Sequence, residues 1–364
     1  MFIHERLEWP HFKWQEEKVN PRLAQVRYLQ GHLLGKMGEL GFNTRQEASL
    51  EILTADVVKT SSIEGEILDP KAVRSSLAKK LGIDTVSIFP QDRHIDGVVD
   101  MLLDATRNYG KPLTKDRLFG WHALLFPTGR SGMKQIKVAT WRTEQEGPMQ
   151  VVSGPMGRER VHFEAPEAQK LEKEMALFLS WFNEESSIDL VLKAGIAHFW
   201  FVTIHPFEDG NGRIGRALTD LLLTRSDQSI DRFYSMSFWI EKERSLYYDK
   251  LEWGQKGDLD ITEWLLWFIE CLQNAIKGSE ILLESTLQKS RFWKKAEKHP
   301  LNERQIKILN LMLRSFEGHL TTGKYAKITK CSQDTALRDI KDLLAYDILQ
   351  QNPQGGRSTS YILS

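Results

Sequence analysis

The chain has 364 residues, and its 49 lysines and arginines balance its 49 aspartates and glutamates. This length favours two or three domains with a sizeable core, and the charge balance excludes a global attraction to nucleic acid or membranes. The two cysteines, Cys271 and Cys331, suit a reducing compartment better than a disulfide framework. The charged start of the sequence is unlike a signal peptide, and no apolar stretch is long enough for a membrane span. We therefore expect a cytoplasmic protein.

Helical periodicity dominates the sequence and predicts a mainly α fold. The first predicted helix begins at Pro21 and stops before Gly41. The second ends at Gly65, because glycine suits the position just past a helix end. Further helical patterns occupy residues of about 92–109, 114–125, 166–183, 188–204, 212–225 and 241–290, the last with a break at "GQKGDLD".

One region between these helices has the character of strands. The stretch "GPMQVVSGPMGRERVHFEAP" has β-rich arms, "MQVV" and "RVHF", around the turn sequence "GPMG", with Pro148 and Pro166 as boundaries. It predicts a β-hairpin over residues 148–166. Such a hairpin is marginally stable unless it packs on the rest of the protein.

The tail after about residue 300 has its own pattern of three short helices followed by two strands around a Gly-rich tip. This order is typical of a winged helix-turn-helix, with Ser332 as the N-cap of its second helix. Nine lysines and arginines against six acidic residues over 299–364 give only a modest positive surplus. DNA binding and protein docking by this tail therefore both stay open.

The stretch "HPFEDGNGRIGR", residues 205–216, concentrates glycines and charges directly after an apolar helical run. A new helix begins near Gly212, and the flexible residues before it let main-chain N–H groups converge. The positive end of the helix dipole and the nearby Arg213 and Arg216 complete an anion site. A nucleotide di- or triphosphate is the anion that this pattern favours.

Two further residues of the stretch indicate a reaction. Asp209 would repel a phosphate unless a hard cation such as Mg²⁺ bridges their oxygens. His205, held beside the phosphate site, can take a proton from an attacking hydroxyl. The residues alone thus predict transfer from a nucleotide phosphate to a hydroxyl group.

Two other interpretations of the stretch are weaker. "GNGRIG" satisfies the dinucleotide pattern G-x-G-x-x-G, and Asp231 lies about twenty residues further on. That pattern requires a strand running into the first glycine, whereas here a helical pattern and "HPFED" precede it. A tight turn with a helix cap would explain any three of these residues but not the whole set.

At every defined position the stretch resembles the Fic motif, HPFx(D/E)GNGRxxR. The resemblance implies a Fic helical core and AMPylation, the transfer of AMP from ATP to a Ser, Thr or Tyr hydroxyl of a protein. Transfer of UMP or removal of AMP would suit the same loop. The motif would supply a general base, His205; a Mg²⁺ ligand, Asp209; a phosphate cradle, Gly210, Asn211 and Gly212; and phosphate-binding arginines, Arg213 for the terminal phosphates and Arg216 for the γ-phosphate.

Two other segments are similar to parts of that family. The hairpin resembles its flap, which holds the target by strand addition and lines the nucleotide pocket, here with Val151, Val152, Ser153 and Gly154. The segment "SLYYDKLEWGQKGD" is similar to the one that holds the adenosine. This similarity implies nucleotide contacts by Tyr247 and by Gln255, which replaces the more usual asparagine.

Glu64 ends the second predicted helix, where the helix dipole disfavours a carboxylate. An exposed glutamate would tolerate this position. The sequence from Thr60 to Gly65, however, resembles the inhibitory motif (S/T)xxxE(G/N) of Fic proteins. The resemblance implies that Glu64 pairs with Arg216 and occupies the space of the γ-phosphate, so that the purified protein is autoinhibited.

We expect three parts in the chain. Residues 1–90 form an N-terminal helical region that carries the inhibitory helix, 91–290 form the catalytic core with its flanking helices, and 291–364 form the winged helix. The partner is a protein with a modifiable hydroxyl; self-modification and a homodimer stay open.

Overall fold

The computed structural model describes residues 1–83, 90, 92–144, 147–153, 160–316, 318–353 and 359–364. These residues form fourteen α-helices and six short strands, which confirms the predicted mainly α fold. The helices are α1 Glu16–Gly38, α2 Phe42–Ile63, α3 Pro70–Leu81, α4 Arg93–Arg107, α5 Lys115–Leu125, α6 Leu171–Asn183, α7 Leu190–Ile204, α8 Asn211–Asp227, α9 Met236–Lys242, α10 Arg244–Lys256, α11 Thr262–Ala296, α12 Glu303–Ser315, α13 Thr322–Thr329 and α14 Gln333–Ala345. The strands form three antiparallel pairs: β1 Arg130–Ser131 with β2 Lys134–Gln135, β3 Gln150–Ser153 with β4 Arg160–Glu164, and β5 Leu349–Gln351 with β6 Tyr361–Leu363.

Two details of the predicted helices are wrong. The first helix begins at Glu16 rather than at Pro21, because fully buried residues on both sides of this proline, Val19 and Val26, keep the helix continuous. Helix α3 lacks a counterpart among the predicted helices, although the chain carries its signals. The Asp69 carboxylate accepts the N–H of Lys71, and a left-handed Gly82 ends the helix.

The chain divides into two compact units, Met1–Leu283 and Glu284–Ser364. In the first unit α7 is the central helix, because every residue from Val191 to Ile204 is buried. Helix α8 packs along α7, and α2 packs against α9 and α8. This packing brings the C-terminal end of α2 to the loop that joins α7 to α8.

A buried charge cluster fixes α2 beside α8. The Arg232 guanidinium donates to Asp220 of α8 at 2.9 Å, and Ser235 donates to Asp56 of α2. Burial and the neighbouring Asp56 carboxyl raise the pKa of Asp220 well above its usual value. The Asp220 carboxyl therefore binds a proton more readily than an exposed one, which weakens its repulsion with its neighbour.

The second unit contains α12, α13 and α14 and the pair β5–β6, in the order that the sequence predicts. Ser332 caps α14 as expected, because its hydroxyl accepts the N–H of Thr335 at 3.2 Å. The Asp339 carboxylate accepts from Arg304 and from the Tyr325 hydroxyl at the buried side of α14. Identification as a winged helix and contact with DNA stay predictions, and residues 354–358 of the tip lie outside the described residues.

The part of the chain that the structure describes contains no helix that is both long and apolar enough to cross a membrane.

Helices α4 and α5 cross at Gly97, where a Cβ would overlap the main-chain oxygen of Leu124. We expect Gly97→Ala to lower the free energy of unfolding by about 1–3 kcal/mol, the cost of overpacking a core. At Gly120 of α5 a Cβ would meet no described atom within 4 Å. Gly120→Ala should therefore stabilise the protein by up to about 1 kcal/mol. Urea unfolding measures both changes, and equal free energies for the two variants would contradict this crossing.

Candidate active site

The loop between α7 and α8 is built on two left-handed residues. His205 has φ 51° and ψ 58° and turns the chain out of α7. Gly210 has φ 82° and precedes the first residue of α8, and a Cβ at this position would press on the Phe126 ring. Only glycine combines this dihedral angle with this close approach at low cost.

Asn211 ties the loop to itself. Its side-chain oxygen accepts the N–H of Phe207 at 3.0 Å, and its amide group donates to the Phe207 carbonyl at 2.9 Å. The Phe207 ring in turn stacks on His122 with centroids 4.2 Å apart. The loop is therefore held from both of its ends before any ligand binds.

His205 is arranged as a proton acceptor. Its Nδ1 lies 3.3 Å from the Val202 carbonyl, which can only accept, so Nδ1 carries the proton and Nε2 the lone pair. Burial, followed by the nearby Arg142 guanidinium, lowers the pKa of His205 to about 4. The imidazole is therefore neutral near pH 7, as a general base must be.

Arg216 is the most buried charge of the loop, with 2% exposure. Its Nε donates to the Thr60 hydroxyl at 2.7 Å, and its Nη2 donates to the Thr60 carbonyl at 3.0 Å and to the Glu64 carboxylate at 2.7 Å. Burial alone would lower the pKa of Arg216, but the Glu64 carboxylate and the Tyr247 and Tyr248 hydroxyls together raise it. The end of α2 thus supplies the partners of this arginine.

The Glu64 carboxylate lies at the start of α8. A Cβ on Gly212 would collide with its Oε1, so the carboxylate rests directly on the first turn of this helix. The N–H groups and the dipole of a helix start favour an anion there. Among the described residues, Arg216 Nη1 and Arg213 Nε are buried without a hydrogen-bond partner. The site therefore has more donors than the carboxylate uses, as a multi-oxygen anion requires.

Arg213 has a carboxylate partner of its own. Its Nη1 lies 3.1 Å from Glu66 Oε2, and its guanidinium lies 5.1 Å from the centre of the Phe126 ring. The other oxygen of Glu66 lies 2.5 Å from His94 Nε2. The hydrogen bond from His94 and the Arg213 charge lower the pKa of Glu66. Both arginines of the loop are therefore paired with carboxylates of one short segment.

Asp209 projects one carboxylate oxygen to Ser131 and the other to the N–H of Gly210, at 2.6 Å. Its carbonyl lies 3.2 Å from His122 Nε2. The described residues contain no group of three or more His, Cys, Asp or Glu side chains placed to hold a metal ion. A metal at this position would therefore have Asp209 as its protein carboxylate and would take further oxygens from a ligand.

A cavity of about 420 Å³ opens beside these groups. Its wall combines the end of α2, the start of α4, the end of α5, the β1 turn and the motif loop. The lining residues are Glu64, Gly65, Glu66, His94, Leu125, Phe126, Pro127, Thr128, Arg130, Ser131, Gly132, Asp209 and Arg213. The cavity has the size of a small-molecule site, and acidic and basic side chains share its wall.

Tyr247 and Gln255 of α10 are buried behind the loop. The Tyr247 hydroxyl lies 2.9 Å from His198 Nε2, and the Gln255 amide donates to the Thr203 hydroxyl at 3.3 Å. Both side chains are thus engaged inside the protein. Their contact with an adenosine stays a prediction.

The β3–β4 pair occupies the place of the predicted hairpin. Val151 pairs with Phe163 and Val152 with Val161, and Val152 is 47% exposed. Ser153 ends β3, whereas Gly154 lies outside the described residues. The buried Phe163 anchors β4, so the pair does pack on the rest of the unit.

Comparison with known families agrees with this geometry. Residues 112–223 match the model of the Fic/DOC family, and residues 2–83 match a domain of unknown function, DUF4172. The chain therefore contains a Fic/DOC family domain, which includes the whole 205–216 loop.

Curated relatives match about a quarter of the chain. Over 89 residues it is 37% identical to protein adenylyltransferase fic-1 of Caenorhabditis briggsae, covering 24% of this chain and 16% of that protein. Over 92 residues it is 35% identical to a probable protein adenylyltransferase of Aquifex aeolicus, covering 23% of this chain and 29% of that protein. The matches thus span less than a third of either relative.

Two solved structures show the fold. A Fic family protein from Desulfovibrio desulfuricans aligns with a TM-score of 0.58 and 18% identity, over 94% of this chain and 96% of that chain. A Fic domain containing signaling protein from Bacteroides thetaiotaomicron gives 0.52 and 17%, over 73% of this chain and 98% of that chain. The mainly helical fold is therefore of the Fic type.

The structure adds site residues that the motif does not name. Glu66 comes directly after the inhibitory pattern, so its sequence position was a usable signal. Arg142 and Ser131 lie in a loop and a two-residue strand without periodicity, and His122 reads as one residue of a helix. Their contacts with the motif join positions 63 to 87 residues apart, which local patterns do not reveal.

Burial lowers the pKa of His198 to about 3. In the unfolded chain a histidine titrates near 6.5, so the unfolded state binds the proton first as the pH falls. We expect the free energy of unfolding to decrease from about pH 6.5 downwards, with up to about 1.4 kcal/mol per pH unit from this residue. In His198→Gln the dependence should be flatter by that amount, measured by urea unfolding between pH 4.5 and 7.5. The exposed His32, as His32→Gln, is the control, and equal slopes in both variants would contradict the assignment.

Proposed function

We propose that the protein is an adenylyltransferase that moves AMP from ATP to a Ser, Thr or Tyr hydroxyl of a protein, and that Glu64 holds it in an inhibited state. One observation carries the proposal. The site built for a phosphate anion, at the start of α8 and beside Arg216, is filled by a carboxylate of the same chain. The Fic/DOC match and the names of the relatives support the choice of reaction.

In the proposed reaction the target hydroxyl attacks the α-phosphorus of ATP. The new bond joins the hydroxyl oxygen to this phosphorus, the bond to the β-phosphate oxygen breaks, and pyrophosphate leaves. His205 Nε2 takes the hydroxyl proton, because Nδ1 carries the ring proton and the lone pair is on Nε2. The N–H groups of Asn211 and Gly212 and the two arginines hold the phosphate oxygens, and Gly210, whose N–H donates to Asp209, forms the turn before them.

Mg²⁺ fits the same loop. Asp209 offers a carboxylate beside the phosphate site, and the Ser131 hydroxyl is its hydrogen-bond partner. A single carboxylate plus phosphate oxygens is the ligand set that this cation accepts. When bound, Mg²⁺ would offset the charge of the phosphates.

Inhibition follows from competition for one arginine. The γ-phosphate and Glu64 both require Arg216, and the carboxylate already occupies the first turn of α8. ATP would bind with its terminal phosphate displaced, and its α-phosphorus would then lie away from His205. Glu66 acts in the same direction on Arg213.

The proposal includes the partner and the compartment. The exposed edge residue Val152 supports strand addition of a target segment to the β3–β4 pair, which would present its hydroxyl to the loop. Both cysteines are free thiols, which supports the cytoplasm.

Removal of the Glu64 carboxylate should activate the protein. We expect Glu64→Gly to transfer AMP at least about tenfold faster than wild type, the factor that corresponds to about 1.4 kcal/mol of lost competition. Transfer of label from [α-³²P]ATP and mass spectrometry of the modified protein measure it, and UTP in place of ATP tests for UMP transfer.

Because proton removal by a base contributes about 10²–10⁴-fold, the rate of AMP transfer by His205→Ala in this background should fall at least about a hundredfold.

Glu51 provides the matched control for Glu64. It lies on the same helix and its carboxylate is 3.1 Å from Arg74, away from the motif. Glu51→Gln should leave transfer at the wild-type rate. If Glu64→Gly transfers no more label than this control, autoinhibition by Glu64 is wrong.

Release of Arg213 from Glu66 should further increase the affinity for ATP. In Glu64→Gly, we expect the further change Glu66→Gln to lower the Kd for ATP by about threefold to tenfold, since a charged pair on a buried arginine is removed. Titration calorimetry with the non-reacting His205→Ala background measures the affinity. An unchanged Kd would show that Glu66 does not compete with the nucleotide.

A further inference from the structure

Arg142 contacts the main chain of His205 and lies outside the 205–216 loop and the pattern that ends at Gly65. It is 5% exposed, and in the described structure its side chain donates to main-chain carbonyls. Nε donates to the His205 carbonyl at 2.7 Å, and Nη2 donates to Pro166 at 2.5 Å and to Ile204 at 3.4 Å. Its own N–H donates to the Pro206 carbonyl at 2.9 Å.

These carbonyls need an outside donor. The last carbonyls of a helix lack partners within it, and the C-terminal end of α7 is buried. A cation at this end also complements the helix dipole. The left-handed conformation of His205 is unfavourable for a residue with a side chain, so it persists only where neighbours hold it.

We propose that Arg142 is the positioning residue of the catalytic base: its guanidinium fixes the turn at His205 and joins it to the end of the β3–β4 pair at Pro166. This inference rests on the proposed function. Arg142 touches neither nucleotide nor target in this role. It acts on the reaction by holding the imidazole where a target on the strand pair would present its hydroxyl.

The charge of Arg142 has a second effect on the base. After burial, it is the larger influence that lowers the pKa of His205, and the carboxylates of Asp209 and Glu64 act in the opposite direction. Loss of the cation would therefore raise the pKa of His205. A residue that only filled space at this position would not change the pH dependence of the reaction.

The test compares Arg142→Gln and Arg142→Lys in the Glu64→Gly background. Rates of AMP transfer are measured from pH 4.5 to 8.5. In Arg142→Gln we expect the acid limb of kcat to move up by about one pH unit and kcat at pH 7.5 to fall at least about tenfold. Arg142→Lys keeps the charge but not the planar fork, so its kcat should fall while its acid limb stays in place.

Arg225 is the matched control, since its guanidinium also donates to main-chain carbonyls, those of Tyr109 at 2.6 Å and Lys111 at 3.0 Å. Arg225→Gln should keep both the acid limb and kcat within about twofold. A Gln variant of Arg142 that behaves like this control overturns the inference. If Arg142→Gln does not fold, Arg142→Lys decides the question, and a kcat equal to that of the Glu64→Gly parent overturns it.

A readout without catalysis separates this inference from the proposed function. The His205 imidazole signal in the NMR spectrum, assigned by its loss in His205→Ala, is titrated in wild type and in the Arg142 variants. We expect a higher midpoint in Arg142→Gln and none of that rise in Arg142→Lys or Arg225→Gln. If the Glu64→Gly parent transfers nothing, the proposed function fails, whereas an unmoved midpoint rejects the influence of Arg142 on the base.

Discussion

A buried guanidinium needs an anion, and at Arg216 this need is met by the end of α2, which lies against the start of α8. The side chain is 2% exposed, and an unpaired charge at such a position would cost several kcal/mol. The start of α8 concentrates further positive potential on the same point. In the described structure Glu64 is that anion, and we propose that a phosphate of ATP takes its place in the active state. Because both anions would require the same donors, binding of one would exclude the other.

The contacts of helix α2, and not only those of Glu64, determine where the Glu64 carboxylate lies. The hydroxyl and the carbonyl of Thr60 each accept a hydrogen bond from the same guanidinium, and Asp56 is part of the charge cluster around Asp220. At the helix end the N–H groups of Gly65 and Glu66 return to carbonyls of α2, which closes the helix and directs the next carboxylate to Arg213. The position of the Glu64 carboxylate is thus set by the end of α2 as well as by its own contact with Arg216.

The sequence is most informative where the candidate functional residues are neighbours in the chain. The loop 205–216 and the pattern ending at Gly65 carry their chemistry in adjacent residues, so the roles assigned to them could be stated before any fold was known. Arg142 and His205 lie in segments that are distant in sequence, and the residue pattern of neither segment predicts their contact. Only tertiary packing brings the two residues together. Helix α3 is a different case, since Asp69 and Gly82 mark its two ends in the sequence itself.

The segment that matches DUF4172 touches the candidate site at two places. In its second half Glu64 and Glu66 pair with Arg216 and Arg213. Near its start the Phe2 ring packs on Phe163 with centroids 5.2 Å apart, and His4 Nε2 lies 2.8 Å from the Glu164 carbonyl, so the same segment supports strand β4. The same segment therefore contacts both the proposed nucleotide site and the strand pair to which we propose the target binds. Under the proposed autoinhibition, a rearrangement of the whole segment that freed Arg216 would also change the support of the strand pair to which we propose the target binds.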